Sequence, residues 1–489
     1  MSLLSRARRK LAALRGATPP PQPAAALPEP TTWEGPRRVA RPTGSLAPGI
    51  RVAAALPAAA NLLQTTEEQD PGRAVIRIGP PLAHDDPTWW WLDTVDDSTP
   101  RVPSSLEAIL VPDEQLRDRL ETQQPAAIGR VWVLPQTAEE RDALIAHHYP
   151  VTTTSYRLGL IGYNLKFAKP IVTDLLKNPE VAALIDEWRF FAAAPTPVTD
   201  RALSESDVIW CEWCGPNAVY AGRRKQPGQK LIVRLHRFEL ETEHWKDIDH
   251  EQVDTFVTVG DYYRDLVLSR TGWPADKVIV IPNQVDDLQL ARPKLPEARF
   301  TLGMLGASSS RKRLDLALDI AEQLHATDGR FRLRIKTALP EEEKWVWDDA
   351  AERSYFSEQL PRLERSPLSS SVVLDPFGPD VASWFRNIGF ILSLSDDESF
   401  HLAPAEGMAA ATVPVIRNWP GADSVYSTEW VFRDLRAMTE RILEIALDES
   451  MWRNTRRRAA EEASTSFARR DIVRQWDRLL GESSGDTLQ

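Results

Sequence analysis

The chain has 489 residues, which is too long for a single hydrophobic core and predicts two or three domains. Its formal net charge of -11 argues against a nucleic-acid partner, because proteins that bind nucleic acids present a basic surface. Two cysteines exclude a disulfide framework and favour a reducing compartment, and no apolar run approaches the ~20 residues that a membrane-spanning helix needs.

Residues 1–48 form a basic, Pro- and Ala-rich tail with the composition of a disordered segment. Near its start, one face of a predicted helix is apolar and carries Leu3, Leu4, Ala7, Leu11 and Leu14. Basic residues lie mainly outside that face, a pattern typical of a helix at a membrane surface. Residues 1–15 are therefore a candidate membrane contact, and a frayed basic terminus is the alternative that stays open.

Residues 49–150 predict an N-terminal α/β accessory region. The predicted strands are Arg51–Leu56, Ala74–Ile78, Ala108–Val111 and Val131–Leu134. A helix is predicted over Glu114–Thr122, between the last two strands.

Residues 151–296 predict a Rossmann-like domain, because short apolar strands alternate with helical segments as in βαβ units of a parallel sheet. The first predicted strand is Tyr156–Asn164, which enters a Gly-containing turn, and the later strands are Asp207–Trp210, Lys230–Leu235, Thr255–Val259 and Val278–Ile281. A Pro-rich linker at Pro293–Pro296 ends this region.

Residues 297–440 predict a second Rossmann-like domain, and residues 441–489 predict C-terminal helices. The predicted strands of this domain are Phe300–Gly306, Phe331–Lys336, Ser371–Leu374, Gly389–Ser395, Val413–Ile416 and Trp430–Phe432. The fold class is therefore α/β, with two Rossmann-like domains, a cleft between them and the accessory region before them.

Two carboxylates eight positions apart give the most informative pattern. Glu398 follows the predicted buried strand Gly389–Ser395, and Glu406 lies in the short helix that comes next. Open parallel sheets bind ligands at the carboxyl ends of their strands, and a helix N-terminus there favours phosphate.

A basic string follows the first strand of the same domain. Gly306 ends that strand, Ser308–Ser310 are predicted to cap the following helix, and Arg311, Lys312 and Arg313 precede it. Backbone N–H groups and a fixed lysine in this position suit a diphosphate, and a solvated basic helix start is the alternative interpretation.

These strings resemble those of family-4 retaining glycosyltransferases. Residues 398–406 resemble the Glu-x7-Glu signature, and residues 306–316 are similar to the family's Gly-Arg-x4-Lys-Gly-x-Asp-Leu segment, in which Lys312 and Asp315 match. The resemblance covers roughly residues 155–480 and implies the GT-B architecture. Three departures stand out: His401 replaces a Gly, Ala307 replaces the Arg, and Arg313 replaces the Gly that follows the Lys.

The resemblance implies a site for a nucleotide-sugar donor. Glu398 would face the donor sugar, Glu406 would bind the ribose, and Lys312 would neutralise the diphosphate, with Arg311 or Arg313 compensating for Ala307. The remaining predicted donor contacts are Gly306, Ser399, Phe400, His401, Leu402 and, beside the nucleobase, Gly378, where a plain turn is the alternative. Such sites use no metal ion and no cofactor.

The middle region predicts the opposite wall of the cleft. His236 follows the strand Lys230–Leu235, and a His near this point lines the reacting face in similar enzymes. An ordinary loop histidine is the alternative. Weaker acceptor-side candidates are Gly162, Asn164, Arg237 and Glu239.

Two metal-like patterns are discounted. Cys211 and Cys214 lack a second pair of ligands, and Asp247 and Asp249 follow a polar stretch rather than a strand. We predict no metal site, and structural roles for both thiols.

The predicted function is a retaining, metal-independent glycosyltransferase with a glycan or lipid-linked acceptor in cell-envelope polysaccharide synthesis. A catalytically weak subunit that binds glycan or a partner, and a sugar-nucleotide epimerase, are the alternatives. The predicted location is cytoplasmic, with peripheral attachment at the inner face of the cell membrane left open.

Overall fold

The computed structural model describes residues 101–102, 108–148, 154–178, 180–365 and 369–481, together with short strands at 65–66, 73–76 and 89–92. The predicted tail (1–48), its membrane-surface helix (1–15) and the predicted strand Arg51–Leu56 lie outside the described residues. Within this described part of the chain, none of the helices combines the length and the apolar character that crossing a membrane requires.

The N-terminal sheet has five strands in chain order, antiparallel from β1 to β3 and parallel from β3 to β5. They are β1 (Thr65–Thr66), β2 (Arg73–Ile76), β3 (Trp89–Leu92), β4 (Ala108–Val111) and β5 (Val131–Val133). Helix α1 (Glu114–Gln123) connects β4 to β5, and α2 (Ala138–His148) follows β5. The predicted helix and the last three predicted strands are confirmed, whereas β3 is absent from the prediction.

The middle sheet has six parallel strands in the order β11-β10-β9-β8-β6-β7. They are β6 (Tyr156–Tyr163), β7 (Val181–Trp188), β8 (Val208–Glu212), β9 (Lys230–Arg234), β10 (Thr255–Thr258) and β11 (Val278–Val280). Its helices are α3 (Ala168–Leu175), α4 (Pro197–Glu205), α5 (Pro216–Arg224), α6 (Asp261–Thr271) and α7 (Asp287–Leu290).

The five strands predicted for this region are confirmed, and β7 is the strand that the sequence prediction lacks. It lies at the sheet edge, and most of its residues are only partly buried. An edge strand that carries Asp186 and Glu187 lacks the continuous apolar run by which the buried parallel strands are predicted.

The C-terminal sheet is also parallel, in the order β14-β13-β12-β15-β16-β17. Its strands are β12 (Thr301–Leu305), β13 (Arg332–Thr337), β14 (Val372–Pro376), β15 (Phe390–Ser393), β16 (Val413–Arg417) and β17 (Val431–Phe432). Its helices are α8 (Leu314–Thr327), α9 (Lys344–Trp347), α10 (Ala350–Arg365), α11 (Val381–Phe385), α12 (Leu402–Ala409) and α13 (Ala422–Val425). All six predicted strands are confirmed.

Strand order reverses once in each six-stranded sheet. In the middle sheet the reversal lies between β6 and β8, and in the C-terminal sheet it lies between β12 and β15. Connections leave such a pair of strands in opposite directions, which opens a crevice at their carboxyl ends where ligands bind. The topology thus marks the loops after β12 and β15, and those after β6 and β8, as the places to look for a site.

The last three helices divide between the two parallel sheets. They are α14 (Leu435–Leu447), α15 (Glu449–Ser466) and α16 (Arg469–Gly481). Helices α14 and α15 pack in the C-terminal core, whereas α16 returns to α3 and β6 of the middle sheet. There the fully buried ring of Trp476 stacks on Trp210, with centroids 3.8 Å apart and planes 9° apart.

The N-terminal sheet is joined to the rest by a buried polar network. Glu121 of α1 accepts two hydrogen bonds from Arg292, at 2.8 and 2.9 Å, and one from Ser383 of α11 at 3.1 Å. Arg117 donates to Gln289 of α7 at 2.5 Å. Residues 289 and 292 lie between the last strand of the middle sheet and the first strand of the C-terminal sheet, so α1 docks where the chain passes from one sheet to the other.

Candidate functional site

The carboxylate of Glu398 is the centre of a charged cluster at the reversal point of the C-terminal sheet. Its Oε1 lies 2.5 Å from Lys312 Nζ and 2.9 Å from Arg311 Nη1, and it accepts a 2.7 Å hydrogen bond from the Ser395 hydroxyl. Lys312 follows β12 and Glu398 follows β15, which are neighbouring strands. The fold therefore brings together predicted residues that are 86 positions apart.

The charges in this cluster favour an anionic ligand. Burial disfavours ionised Glu398, but the Lys312 and Arg311 cations outweigh it and hold the Glu398 pKa well below its usual range. Burial lowers the pKa of Lys312, and Glu398 opposes that shift. Two cations thus face one carboxylate. The surplus positive charge lies beside the N-terminus of α12, whose helix dipole has the same sign.

The loops after β12 and β15 are tied together along their backbones. Asp396 N donates to the Arg311 carbonyl at 3.0 Å, and the Arg311 guanidinium donates to the Asp397 carbonyl. Arg313 adopts a left-handed backbone (φ 59°) and pairs instead with Asp315 and with Asp396 at 3.0 Å. Of the two predicted substitutes for the arginine missing at Ala307, Arg311 reaches Glu398, and Arg313 is held by other carboxylates.

The predicted capping role of Ser308–Ser310 is wrong for the described turn. Helix α8 has no side-chain cap, and Ser310 donates both its backbone N–H and its hydroxyl to Glu352 of α10, each at 2.7 Å. The Ser310 N–H is therefore not available to a phosphate. Gly306 before this turn has φ 80°, a left-handed conformation that glycine adopts without strain.

His401 holds a left-handed turn directly before α12, with φ 54°. The hydroxyl of Tyr426 fixes that turn by donating to the carbonyls of Phe400 (3.1 Å) and His401 (2.8 Å). The imidazole Nδ1 lies 2.6 Å from the Ser393 hydroxyl, while the buried Nε2 has no hydrogen-bond partner among the described residues and lies 4.0 Å from Glu398 Oε1. Burial, with the nearby Lys312 cation, lowers the His401 pKa to about 3, so the ring is neutral.

Glu406, the second predicted carboxylate, lies in the middle of α12. Burial raises its pKa to about 7. Among the described residues, its carboxylate has no hydrogen-bond or ion-pair partner. Glu406 therefore offers two acceptor oxygens, which a pair of hydroxyl donors could satisfy.

His236 lies on the opposite wall, where β9 ends. Its Nε2 is 2.8 Å from Glu212 Oε1 at the end of β8, and its backbone N–H donates to Glu239 at 2.8 Å. Burial lowers the His236 pKa, and Glu212 opposes that shift. Arg234, also fully buried, lies 3.5 Å from Glu212 and keeps the carboxylate ionised against the effect of burial.

Aromatic rings surround His236. Phe167 stacks on its imidazole with centroids 4.8 Å apart, and Trp213 lies 4.2 Å away at a tilt of 42°. Trp213 and Asn164 both have left-handed backbones, with φ 69° and φ 48°. These turns end β8 and β6, the two strands at the reversal point of the middle sheet. The wall that His236 shares is thus largely aromatic.

The two walls touch across the cleft. Arg237, next to His236, pairs with Asp397, next to Glu398, with Nη1 3.0 Å from Oδ2. Close to this pair, a Cβ at Gly260 would lie 3.6 Å from the Ser399 carbonyl oxygen. The loops after β9 and β15 therefore face each other, which brings the predicted residues of the two domains to one cleft.

Several predicted residues have roles other than direct contact. Phe400 is buried and packs against Tyr426 and Phe467 in the C-terminal core. Gly378 follows the edge strand β14, which β13 separates from β12.

On the middle side, Gly162 leaves no room for a side chain, because its Cβ would lie 2.5 Å from the Glu212 carbonyl oxygen. Burial raises the pKa of Glu239 to about 7, and its carboxylate supports the His236 backbone. In the C-terminal domain, the predicted donor contact Leu402 is the first residue of α12 and directly follows His401.

The sequence prediction lacks four residues of the site. Ser393 ends β15 and Ser395 follows two positions later, and alternate residues of an extended chain lie on the same side, which is a recognisable signal for polar groups beside a ligand. Glu212 lies inside the Cys211–Cys214 string, in which the spacing of the cysteines is the more obvious pattern. Both thiols are buried and free. Asp397 is indistinguishable from its acidic neighbours until its partner is known.

The comparisons with known proteins bear on the fold. No protein-family model and no curated protein matches the sequence. Among solved structures, a glycosyltransferase from Rickettsia africae ESF-5 is 11% identical with a TM-score of 0.51, and covers 67% of this chain and 98% of its own. An α-glucosyltransferase in complex with UDP and a 13-mer DNA is 14% identical with a TM-score of 0.50, and covers 67% and 100%. The chain has the GT-B fold.

The match to TarM is looser. It has a TM-score of 0.44 at 14% identity and covers 56% of this chain. The chain spans 55% of the length of TarM. The GT-B assignment therefore depends on the first two structures and on the two parallel sheets described above.

Proposed function

We propose that the chain is a retaining, metal-independent glycosyltransferase that moves a sugar from a nucleotide-sugar donor to a glycan or lipid-linked acceptor. The observation that carries the proposal is the cluster of Arg311, Lys312 and Glu398 at the reversal point of the C-terminal sheet. It combines surplus positive charge, a helix N-terminus and a carboxylate, in a cleft whose other wall holds His236.

Each residue then has a distinct task. Arg311 and Lys312 stabilise the negative charge that develops on the leaving diphosphate, and Glu398 accepts hydrogen bonds from hydroxyls of the donor sugar. Glu406 receives the ribose hydroxyls, which fits its unpartnered carboxylate. His401 presents its free Nε2 beside Glu398.

The proposed reaction uses no nucleophile from the protein. The acceptor oxygen forms a bond to the anomeric carbon on the face from which the phosphate leaves, and the bond between that carbon and the phosphate oxygen breaks. The proton of the acceptor hydroxyl passes to the departing phosphate oxygen. His236, held neutral by burial, orients the sugar from the middle wall.

The proposal also covers the acceptor's pathway and the location of the reaction. We place the reaction in cell-envelope polysaccharide synthesis, at the cytoplasmic side of the membrane. The α-glucosyltransferase with the same fold binds UDP, so UDP-sugars are the first donors to screen.

The test is transfer from a panel of nucleotide sugars by the wild type, Lys312→Ala and Glu406→Ala. Loss of a charged donor aimed at the transition state costs roughly a hundredfold or more in kcat, and we expect at least that loss for Lys312→Ala. Lys344→Ala, which removes a lysine that is 87% exposed, is the matched control and should retain full activity. If the wild type transfers sugar and both site variants match it, the assignments are wrong.

A catalytically weak GT-B subunit is a second candidate, and the His401 side chain favours it. Its ring fills space beside Glu398, where the resembling family has a glycine. A thermal-shift screen in which no nucleotide sugar binds would favour this candidate, and turnover would eliminate it. Conversion of a sugar nucleotide without any acceptor would instead show an epimerase.

A further inference from the structure

A large basic cleft lies on the side of the C-terminal sheet opposite Glu398. It has a volume of about 990 Å³ and is lined by the linker Pro293–Pro296, by Phe300, by Ala411 and by one face of α15. Phe300 directly precedes β12 and Ala411 precedes β16, so this linker cleft opens at the amino ends of strands whose carboxyl ends hold the candidate active site.

The charge of the linker cleft is strongly positive. Its basic lining residues are Lys294, Arg299, Arg453, Arg456 and Arg457, and its acidic lining residue is Glu449. Glu449 is engaged by two of them, with its Oε2 3.2 Å from Arg299 Nη1 and its Oε1 2.5 Å from Arg453 Nη2. Arg457 pairs outside the cleft with Glu461.

Arg456 is the arginine of this cleft that is not paired with a carboxylate among the described residues. Among the described residues it has no ion-pair or hydrogen-bond partner, and its Nε is buried. Its guanidinium lies over the ring of Trp452, 4.9 Å from the centroid. The indole Nε1 of Trp452 is also buried without a partner in this part of the structure. Arg456 and Trp452 therefore line the cleft together, and the Arg456 guanidinium has no carboxylate partner among the described residues.

A guanidinium without a carboxylate partner favours an anionic ligand, because a charge-assisted hydrogen bond is stronger than a neutral one. Guanidinium groups match the oxygens of phosphates, and a cleft of this volume lies within the ~300–1,000 Å³ range of small-molecule sites. We propose that the linker cleft binds a phosphate-bearing anion, with Arg456 as its central contact and the Trp452 ring supporting the guanidinium.

The linker cleft lies beside the segment that joins the two parallel sheets, so a ligand bound there affects that segment. Lys294 lies in the linker that joins the two parallel sheets, and its Nζ donates to the Phe385 carbonyl at 2.8 Å and to Thr412 at 2.5 Å. Burial and the Arg456 charge lower the Lys294 pKa. A bound phosphate attracts this lysine and fixes the linker from the side away from the donor site.

The experiment is isothermal titration of the full chain with inorganic pyrophosphate at low salt. It uses a Lys312→Ala background, so that the proposed donor site does not contribute. Adding Arg456→Gln should weaken binding by about tenfold or more, the loss of one strong charged contact. Arg456→Lys should keep part of the affinity. Arg436→Gln, at an 87% exposed position on α14, is the matched charge control and should bind like the background.

Vesicles distinguish the source of the phosphate. If Arg456→Gln lowers co-sedimentation with phosphatidylglycerol vesicles and not with phosphatidylcholine vesicles, the ligand is a lipid headgroup. If only pyrophosphate binding falls, it is a free phosphate compound. Trp452→Leu removes the ring that supports the Arg456 guanidinium, so it tests the site should Arg456→Gln fail to fold. Binding of both probes by either folded variant at the strength of Arg436→Gln overturns the proposal.

Discussion

The two carboxylates of the C-terminal motif differ in their surroundings although they lie eight residues apart. Glu398 is ionised because it is paired with Arg311 and Lys312, whereas burial without a partner raises the pKa of Glu406 to about 7. One group is thus permanently charged near neutral pH, and the other titrates there. A ligand that donates hydrogen bonds to Glu406 favours its ionised form and lowers that pKa.

This difference predicts a pH dependence for nucleotide binding. Glu406 is mostly protonated at pH 6 and mostly ionised at pH 8, so affinity for the nucleotide found in the donor screen should rise about tenfold over that range and then level off. Titration calorimetry at several pH values measures it. Glu406→Gln removes the titrating group while phosphate titration of the ligand remains, and an unchanged slope in this variant would contradict the role of Glu406.

The residues that sequence could predict are those in contiguous strings. Glu398, His401 and Glu406 follow one strand, and Lys312 follows another that the Rossmann topology places beside it. Glu352, which takes the Ser310 N–H, and Asp397, which meets Arg237, are 42 and 160 positions from their partners. Those pairings depend on helix packing and on how the two domains face each other, which local patterns do not encode.

At the scale of elements, α16 supports the wall that holds His236. Trp476 stacks on Trp210, and the Arg234 guanidinium lies 5.3 Å from the Trp476 ring centroid. Arg234 in turn pairs with Glu212, the partner of His236. The helix therefore stabilises both the core beneath the middle sheet and the buried charges at its carboxyl edge.

Removing the Trp476 ring should cost about 3–5 kcal/mol of unfolding free energy, because a fully buried aromatic side chain leaves a cavity. Urea unfolding followed by circular dichroism measures the loss in Trp476→Ala. Trp345→Ala removes the same ring at a 64% exposed position and should change stability by less than about 0.5 kcal/mol. Equal effects of the two variants would show that the stacked pair is not what holds α16.

At the scale of the whole molecule, α1 connects the N-terminal sheet to the passage between the two parallel sheets. The Glu121–Arg292 pair is almost fully buried, with side chains 5% and 1% exposed. Removing one member of a buried ion pair leaves an uncompensated charge and costs about 3–5 kcal/mol.

Glu121→Gln should therefore lower the temperature of the first unfolding transition in calorimetry and separate the N-terminal sheet from the rest. Glu205→Gln removes a 49% exposed glutamate that pairs with Arg201 within one helix, and it should leave that transition in place. Identical calorimetric scans for the two variants would mean that the Glu121–Arg292 pair does not hold the N-terminal sheet to the two parallel sheets.

The division into α/β domains can be predicted from the sequence, whereas the docking of α1 through the Glu121–Arg292 pair cannot. Buried parallel strands are typically continuous apolar runs, so β12, β15 and β16 are recognised directly. The edge strand β7 and the return of α16 are not, because the first is partly polar and the second depends on a contact between residues 210 and 476.

That contact has a consequence for the order in which the protein matures. The strands of the middle sheet end at residue 280, but the helix that covers Trp210 arrives only with residues 469–481. A growing chain on the ribosome thus exposes one face of the Trp210 indole and the Arg234 guanidinium until residues 469–481 have been synthesised. Domains usually fold in the order of their synthesis. Here the middle sheet completes its core after the sheet that follows it.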